Sequence, residues 1–263
     1  MASSVADRSL KSERHGLYPS LQYKLLDHLS AMKSWLVDNQ IRTSVGGSVA
    51  DIGMPLAILS TLVAVHLFVD QVYTTKFFSL SHHNSSTQLY DKGAGDWAFV
   101  FTWVLVFTLL RAILMRFIFT PIFLFVAPNP TPRAATRFAE QAWSAFYYSI
   151  SFAIGVRIAV NSPYWRDIGE LWADYPQRQS DGLFKTYYLV ESGFWIQQIF
   201  VLNIEARRKD FWQMLCHHFV TCTLIFMSYT YNVTRVGNAI LCIMDLSDIL
   251  LSVLPFPWSL TQL

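Results

Sequence analysis

Two adjacent histidines, His217 and His218, lie within RRKDFWQMLCHHFVTCTLIF (207–226), a stretch otherwise apolar enough for a membrane helix. The next apolar stretch, VGNAILCIMDLSDILL, contains Asp245 and Asp248. An acidic side chain at the centre of a membrane helix costs roughly 2.5–3.5 kcal/mol on insertion scales, so such residues face a bundle interior or a water cavity and carry a role. A separation of three places both carboxylates on one helix face. At a rise of about 1.5 Å per residue, His217 lies ~9 Å inside its helix end, with Asp248 ~9 Å and Asp245 ~13 Å inside theirs. Two antiparallel neighbouring helices would bring imidazoles and carboxylates to similar depth. The chemistry that suits this set is proton handling. A neutral imidazole takes a proton from an incoming nucleophile or itself attacks an acyl carbon, and a carboxylate orients the ring and stabilises the imidazolium. Adjacent helical residues point about 100° apart, so the two histidines cannot do the same job. Three other readings stand beside this one. The four side chains could satisfy one another in a polar core, form a proton relay for transport, or bind a metal. No HExxH or multi-histidine box accompanies them, and no metal is expected.

The elements that must position these residues are membrane helices. Of the 263 residues 53% are hydrophobic, 16% aromatic and 14% charged, against about 25% charged in soluble domains. The net charge of +2 is small, and no basic run exceeds Arg207-Arg208-Lys209; nucleic acid is not an expected partner. Cys216, Cys222 and Cys242 all fall in apolar stretches without a CxxC and read as small core residues. No apolar signal segment opens the chain. A span of about 20 apolar residues per helix gives an all-α integral membrane protein with about six spans: 52–69, 97–127, 142–160, 183–203, 211–229 and 236–254. Pro121 is expected to kink or divide the second. Residues 1–51 form a polar cytosolic region in which 21–37 has the spacing of an interfacial helix. Basic residues set the orientation: Arg133, Arg137 and the EARRKD loop are cytosolic, and loops 70–96 and 161–182 lumenal. The first lumenal loop carries Asn84-Ser85-Ser86, a glycosylation sequon that needs the lumen. Asn232-Val233-Thr234 is a second sequon, in a loop short enough for the membrane surface to hide. Arg111, Arg116 and Arg157 read as snorkelling cations, with phosphate binding as the alternative. His82 and His83 read as solvated, Trp195 and Trp212 as interface or packing residues, and Glu191 as a buried acid without an assigned role.

The ordered set Arg208-Lys209-Asp210-Phe211, His217-His218, Ser228-Tyr229, Arg235-Val236-Gly237 and Asp245-x-x-Asp248 resembles the signature region of the ceramide synthases. These are sphingoid-base N-acyltransferases with a TLC domain, and Met244 before the first aspartate is similar to the fungal branch. The resemblance implies a TLC domain over 97–254 and an enzyme of the endoplasmic reticulum membrane. That enzyme would join a long-chain acyl group from acyl-CoA, as co-substrate, to the amine of sphinganine or phytosphingosine. No cofactor is bound. His217, His218, Asp245 and Asp248 become the catalytic residues, acting by direct amine attack or through an acyl-histidine. Membrane lipids surround the bundle, and homo- or hetero-dimers with other ceramide synthase subunits are expected. The family continues past DLSDILL into a further helix, whereas SVLPFPWSLTQL follows here, so residues 255–263 read as a divergent tail and the domain as lacking its final helix, with impaired activity. The alternative is a non-catalytic TLC-type lipid-binding or trafficking protein.

Overall fold

The computed structural model describes residues 49–69, 71–127, 131–204 and 209–254. The expected interfacial helix, Arg207, Arg208 and the tail 255–263 lie outside them. Eight α-helices follow in chain order: α1 Val49–Phe68, α2 Gln71–Phe78, α3 Asp96–Leu114, α4 Thr120–Val126, α5 Pro132–Val160, α6 Gly182–Ile204, α7 Phe211–Thr230 and α8 Thr234–Val253. Each expected span coincides with one of these helices or with the α3–α4 rod. The rod Asp96–Val126, α5 and α8 are long and apolar enough to cross a membrane, which makes this a multi-pass architecture. Helices α6 and α7 are 23 and 20 residues long. Inward-facing polar residues such as Lys185, Glu191, Gln197 and His218 dilute their apolar character.

Two helices differ from expectation for local reasons. A π-helical turn, Met115–Phe119, joins α3 to α4 without a break. Pro121 has no N–H to give and its ring crowds the carbonyl four residues back; widening the turn just upstream absorbs that conflict. Thr120 Oγ1 donates to the Met115 carbonyl at 2.7 Å and caps the widened turn. Helix α5 begins ten residues before the expected span, at Pro132. Thr131 is its N-cap, accepting from Ala134 N, with Pro132 in the first turn, a strong start signal.

Helix α6 packs against α3, α5 and α7, while α5 packs most extensively against α8. The core is aromatic. Tyr147 stacks on Phe194 at 3.4 Å between centroids, and Phe107 meets both edge-on at 5.2 and 5.6 Å. Trp143 and Trp195 are almost fully buried beside them.

The two loops expected on the lumenal side are joined rather than free. Strands β1 (His83–Asn84), β2 (Leu89–Asp91) and β3 (Gln179–Ser180) form a small antiparallel sheet in that order, with Tyr90 opposite Ser180 and Asp91 opposite Gln179. The fold is therefore not purely helical. Lys185, 1% exposed, pins this end: its Nζ donates to the Ser81 and Asp91 carbonyls at 2.9 and 2.7 Å and pairs with Asp96 at 2.7 Å. Asp96 also accepts from Gly93 N and the Tyr229 hydroxyl. The ion pair survives burial because its remaining donors and acceptors are satisfied. The short α7–α8 turn lies at the same end, where Gln177 N donates to the Asn232 carbonyl.

Candidate active site

The approach of α5 to α8 places the acidic residues. At Gly155 a Cβ would stand 2.7 Å from the Tyr187 hydroxyl and 2.8 Å from Cys242 Sγ, so the absent side chain lets the helices close. One turn earlier on α5, Ser151 reaches Asp245 Oδ2 at 2.6 Å. The same Ser151 hydroxyl bonds Glu191 Oε1 on α6, and Tyr147 donates to that oxygen at 2.8 Å. Ser151, Glu191 and Asp245 are all buried. Three helices thus meet at two carboxyl groups joined by one hydroxyl. Asp248, one turn along α8, is half-buried. Asp245 Oδ1 and Asp248 Oδ2 are enclosed without a hydrogen-bond partner among the described residues.

The histidines are placed by α7 lying on α6. His218 is buried and His217 half-buried, as the 100° offset between neighbours requires. Both rings pack on Trp195, with centroids 5.7 Å away for His217 and 5.5 Å for His218. His218 Nδ1 has no hydrogen-bond partner among the described residues. Helix α6 is the shared strut, since Glu191 and Trp195 lie one turn apart on it. Glu191 meets the acidic side, and Trp195 the imidazole side.

Two apolar grooves flank the histidine helix. One of about 270 Å³ follows α3, α6 and α7 past Val100, Leu189, Ile196 and Phe219 to Cys222. The other, about 220 Å³, lies between α7 and α8 along Thr221, Leu224, Leu241 and Met244. Each groove includes residues within one turn of His218 or Asp245.

The structure brings the expected residues to one region of the bundle but does not join them as expected. No hydrogen bond links an imidazole to a carboxylate among the described residues; the histidines meet Trp195, and Asp245 meets Ser151. The reason is angular. Depth along two helices follows from counting residues, whereas the rotation of each about its axis is set by packing against α5 and α6. Trp195 is at 0% exposure and is no interface residue, while Trp212, 72% exposed, fits one. Cys216 is exposed, contrary to a core role, whereas Cys222 and Cys242 are half-buried. Ser151 and Tyr147 were missed, although their spacing of four on one face, opposite an unassigned buried acid, was a usable signal. Asn84 lies on β1 away from this region, its Oδ1 accepting from Ser86 N and Oγ at 3.0 and 2.6 Å. Among the described residues no group of three or more His, Cys, Asp or Glu is disposed to hold a metal.

Comparison with known proteins gives a family match and several relatives. The TLC domain family matches residues 137–256, which include every member of both clusters. Ceramide Synthase FUM18 of Gibberella moniliformis is 43% identical over 204 residues, 75% of this chain and 48% of that protein. Sphingosine N-acyltransferase lag1 of Schizosaccharomyces pombe is 46% identical over 180 residues, 68% and 46% of the two chains. Human Ceramide synthase 5 is 40% identical over 121 residues, covering 46% and 31%. The chain spans about half the length of the fungal relatives it matches. The match marks a TLC domain, and over it and the helices before it the chain is similar to the fungal ceramide synthases.

Proposed function

We propose that the chain acylates a sphingoid base, moving a long-chain acyl group from acyl-CoA to the free amine of sphinganine or phytosphingosine. The carrying observation is a pair of imidazoles packed on Trp195 and a set of carboxyls joined at Ser151, with two apolar-lined grooves beside the histidine helix. The thioester carbonyl lies against the histidines, and the acyl chain runs away from them in a groove. The amine attacks the carbonyl carbon, the C–N bond forms and the C–S bond breaks. An imidazole removes the amine proton, which leaves with the thiolate as CoA thiol. Acyl-CoA is a co-substrate and no resident cofactor takes part. The membrane is that of the endoplasmic reticulum, and the polypeptide partner is a second ceramide synthase subunit.

The test is ceramide formation from labelled acyl-CoA and sphinganine in membranes of a host without ceramide synthases of its own, carrying this chain. Labelled ceramide is the expected product. Acyl-CoA or sphinganine bound stoichiometrically without product would replace this reading with that of a lipid-binding protein. Mass spectrometry after acyl-CoA alone separates the two routes: an acyl-imidazole adduct marks the acyl-histidine path.

A further inference from the structure

We propose that Glu191 and Asp245 are one functional unit, sharing a single proton across the Ser151 hydroxyl, with Glu191 its charged member and Asp245 a neutral acid. Glu191 is then a positioning residue for the acyl transfer argued above, on which this inference rests. A serine hydroxyl has one proton, yet Ser151 Oγ is within hydrogen-bond reach of both Glu191 Oε1 and Asp245 Oδ2. Two ionised carboxylates would both have to accept from it, leaving one contact repulsive. A proton on Asp245 resolves the count: Asp245 donates to Ser151, and Ser151 donates to Glu191. Tyr147 identifies the charged member, because its hydroxyl donates to the same Glu191 oxygen. Two donors converging on one oxygen suit a carboxylate.

The surroundings favour one charge rather than two. The other titratable groups around the pair are Tyr147 and Tyr148 on α5, Tyr187 on α6, and Cys242 and Asp248 on α8. None of them is a cation. The described lysine buried on α6, Lys185, is committed to Asp96 and to two carbonyls at the far end of its helix. Like charges this close without a counter-ion do not both ionise.

The consequence for catalysis concerns the nucleophile. An ionised Asp245 would hold the sphingoid base as its ammonium, which has no lone pair with which to attack. A neutral Asp245, its proton turned toward Ser151, offers Oδ1 as an acceptor to an N–H of the free amine and leaves the lone pair available. Asp245 Oδ1 is enclosed and without a partner among the described residues, as an acceptor kept for substrate would be.

Infrared spectroscopy of the purified full chain tests this without turnover. The wild type should show the carbonyl stretch of a protonated carboxylic acid that shifts with aspartate carboxyl-13C labelling and not with glutamate labelling. Asp245→Asn should abolish it. Glu191→Gln should abolish it too, because the new amide donates to Ser151, Ser151 then donates to Asp245, and Asp245 ionises. No aspartate band in the wild type, or a band that survives either substitution, overturns the proposal. The labelled wild type decides the matter even where a variant misfolds. Turnover supplies a second readout: Ser151→Ala should lower kcat on the order of 10²-fold with KM for acyl-CoA unchanged, and Ser151→Thr should restore most of it. An unaltered kcat in Ser151→Ala also overturns the proposal. A wild type with the band but no ceramide product leaves the carboxyl unit standing and refutes the acyl-transfer reading. Product without the band does the reverse.

Discussion

His217 and His218 share a backbone turn but not an environment, since one ring is buried and the other half-exposed. Replacing either by Ala should reduce ceramide formation by ~10²–10⁴-fold at matched protein level, the contribution of a positioned acid or base. Near-normal turnover in one variant would assign the chemistry to the other ring. Asp245→Ala, which removes both the group that meets Ser151 and the enclosed Oδ1, should fall in the same range. These residues were legible in the sequence because polar groups in apolar runs are costly and therefore conspicuous. Ser151 and Tyr147 were less so, since a serine or tyrosine in a membrane helix is commonplace and only their spacing of four on one face, opposite a buried acid, hinted at them. For Trp195 the sequence leaves interface and packing roles open, because aromatic side chains mark both, and the packing of α7 on α6 decides for packing.

At the scale of elements, closeness of helices rests on a few positions without side chains. A Cβ at Gly237 would stand 2.0 Å from the Tyr188 hydroxyl and 2.9 Å from Ser228 Oγ. Gly237→Ala should therefore force α8 away from α6 and α7, costing about 1–3 kcal/mol as overpacking does and lowering Tm in detergent. Gly53, with nothing within 4 Å of its Cβ position, is the control: Gly53→Ala should leave Tm unchanged or raised, as helix propensity favours Ala. Most helix ends were readable from hydropathy within a few residues, but the polar first turns of α5 and the short α2, inside a stretch that reads as a loop, were not. The sheet was not, because strands of two or three residues carry no periodicity and pair across residues distant in the chain. Lys185→Met would leave Asp96 buried without its cation and should cost ~3–5 kcal/mol, read as a loss of Tm together with faster amide exchange in β1 and β2.

For the whole molecule, the sheet and the α7–α8 turn define one end of the bundle, and Lys209 precedes α7 at the other. In sealed microsomes, Asn84→Cys should resist a membrane-impermeant thiol reagent and Lys209→Cys should react, with the cysteine Cys216 replaced in both. The opposite result would invert the orientation. The joined end also titrates. Burial, and then the nearby charge of Lys185, bring the Lys92 ammonium down to about 8 from its usual 10.5. The unfolded chain keeps that proton up to its higher value, so Lys92 lowers stability below pH 8, and stability recovers between about pH 8 and 10.5. The Tm of wild type minus that of Lys92→Met should therefore rise across this interval, and a flat difference would show Lys92 to be solvated.

The widened turn Met115–Phe119 can also be seen as a spare residue held in a helix. One residue occupies about 100° of turn, so removing one from a regular helix swings everything beyond it onto a new face. Removal at the π turn should instead convert it to an ordinary α turn. With Pro121→Ala to supply the missing N–H, deletion of Ile118 should leave Phe107 and Ala112 upstream and Phe123 downstream facing inward as they do now. Deletion of Val106 should turn Phe123 outward. The first protein should be made and inserted at near wild-type level and the second should not, which would make this rod a helix whose length is adjustable at one place only.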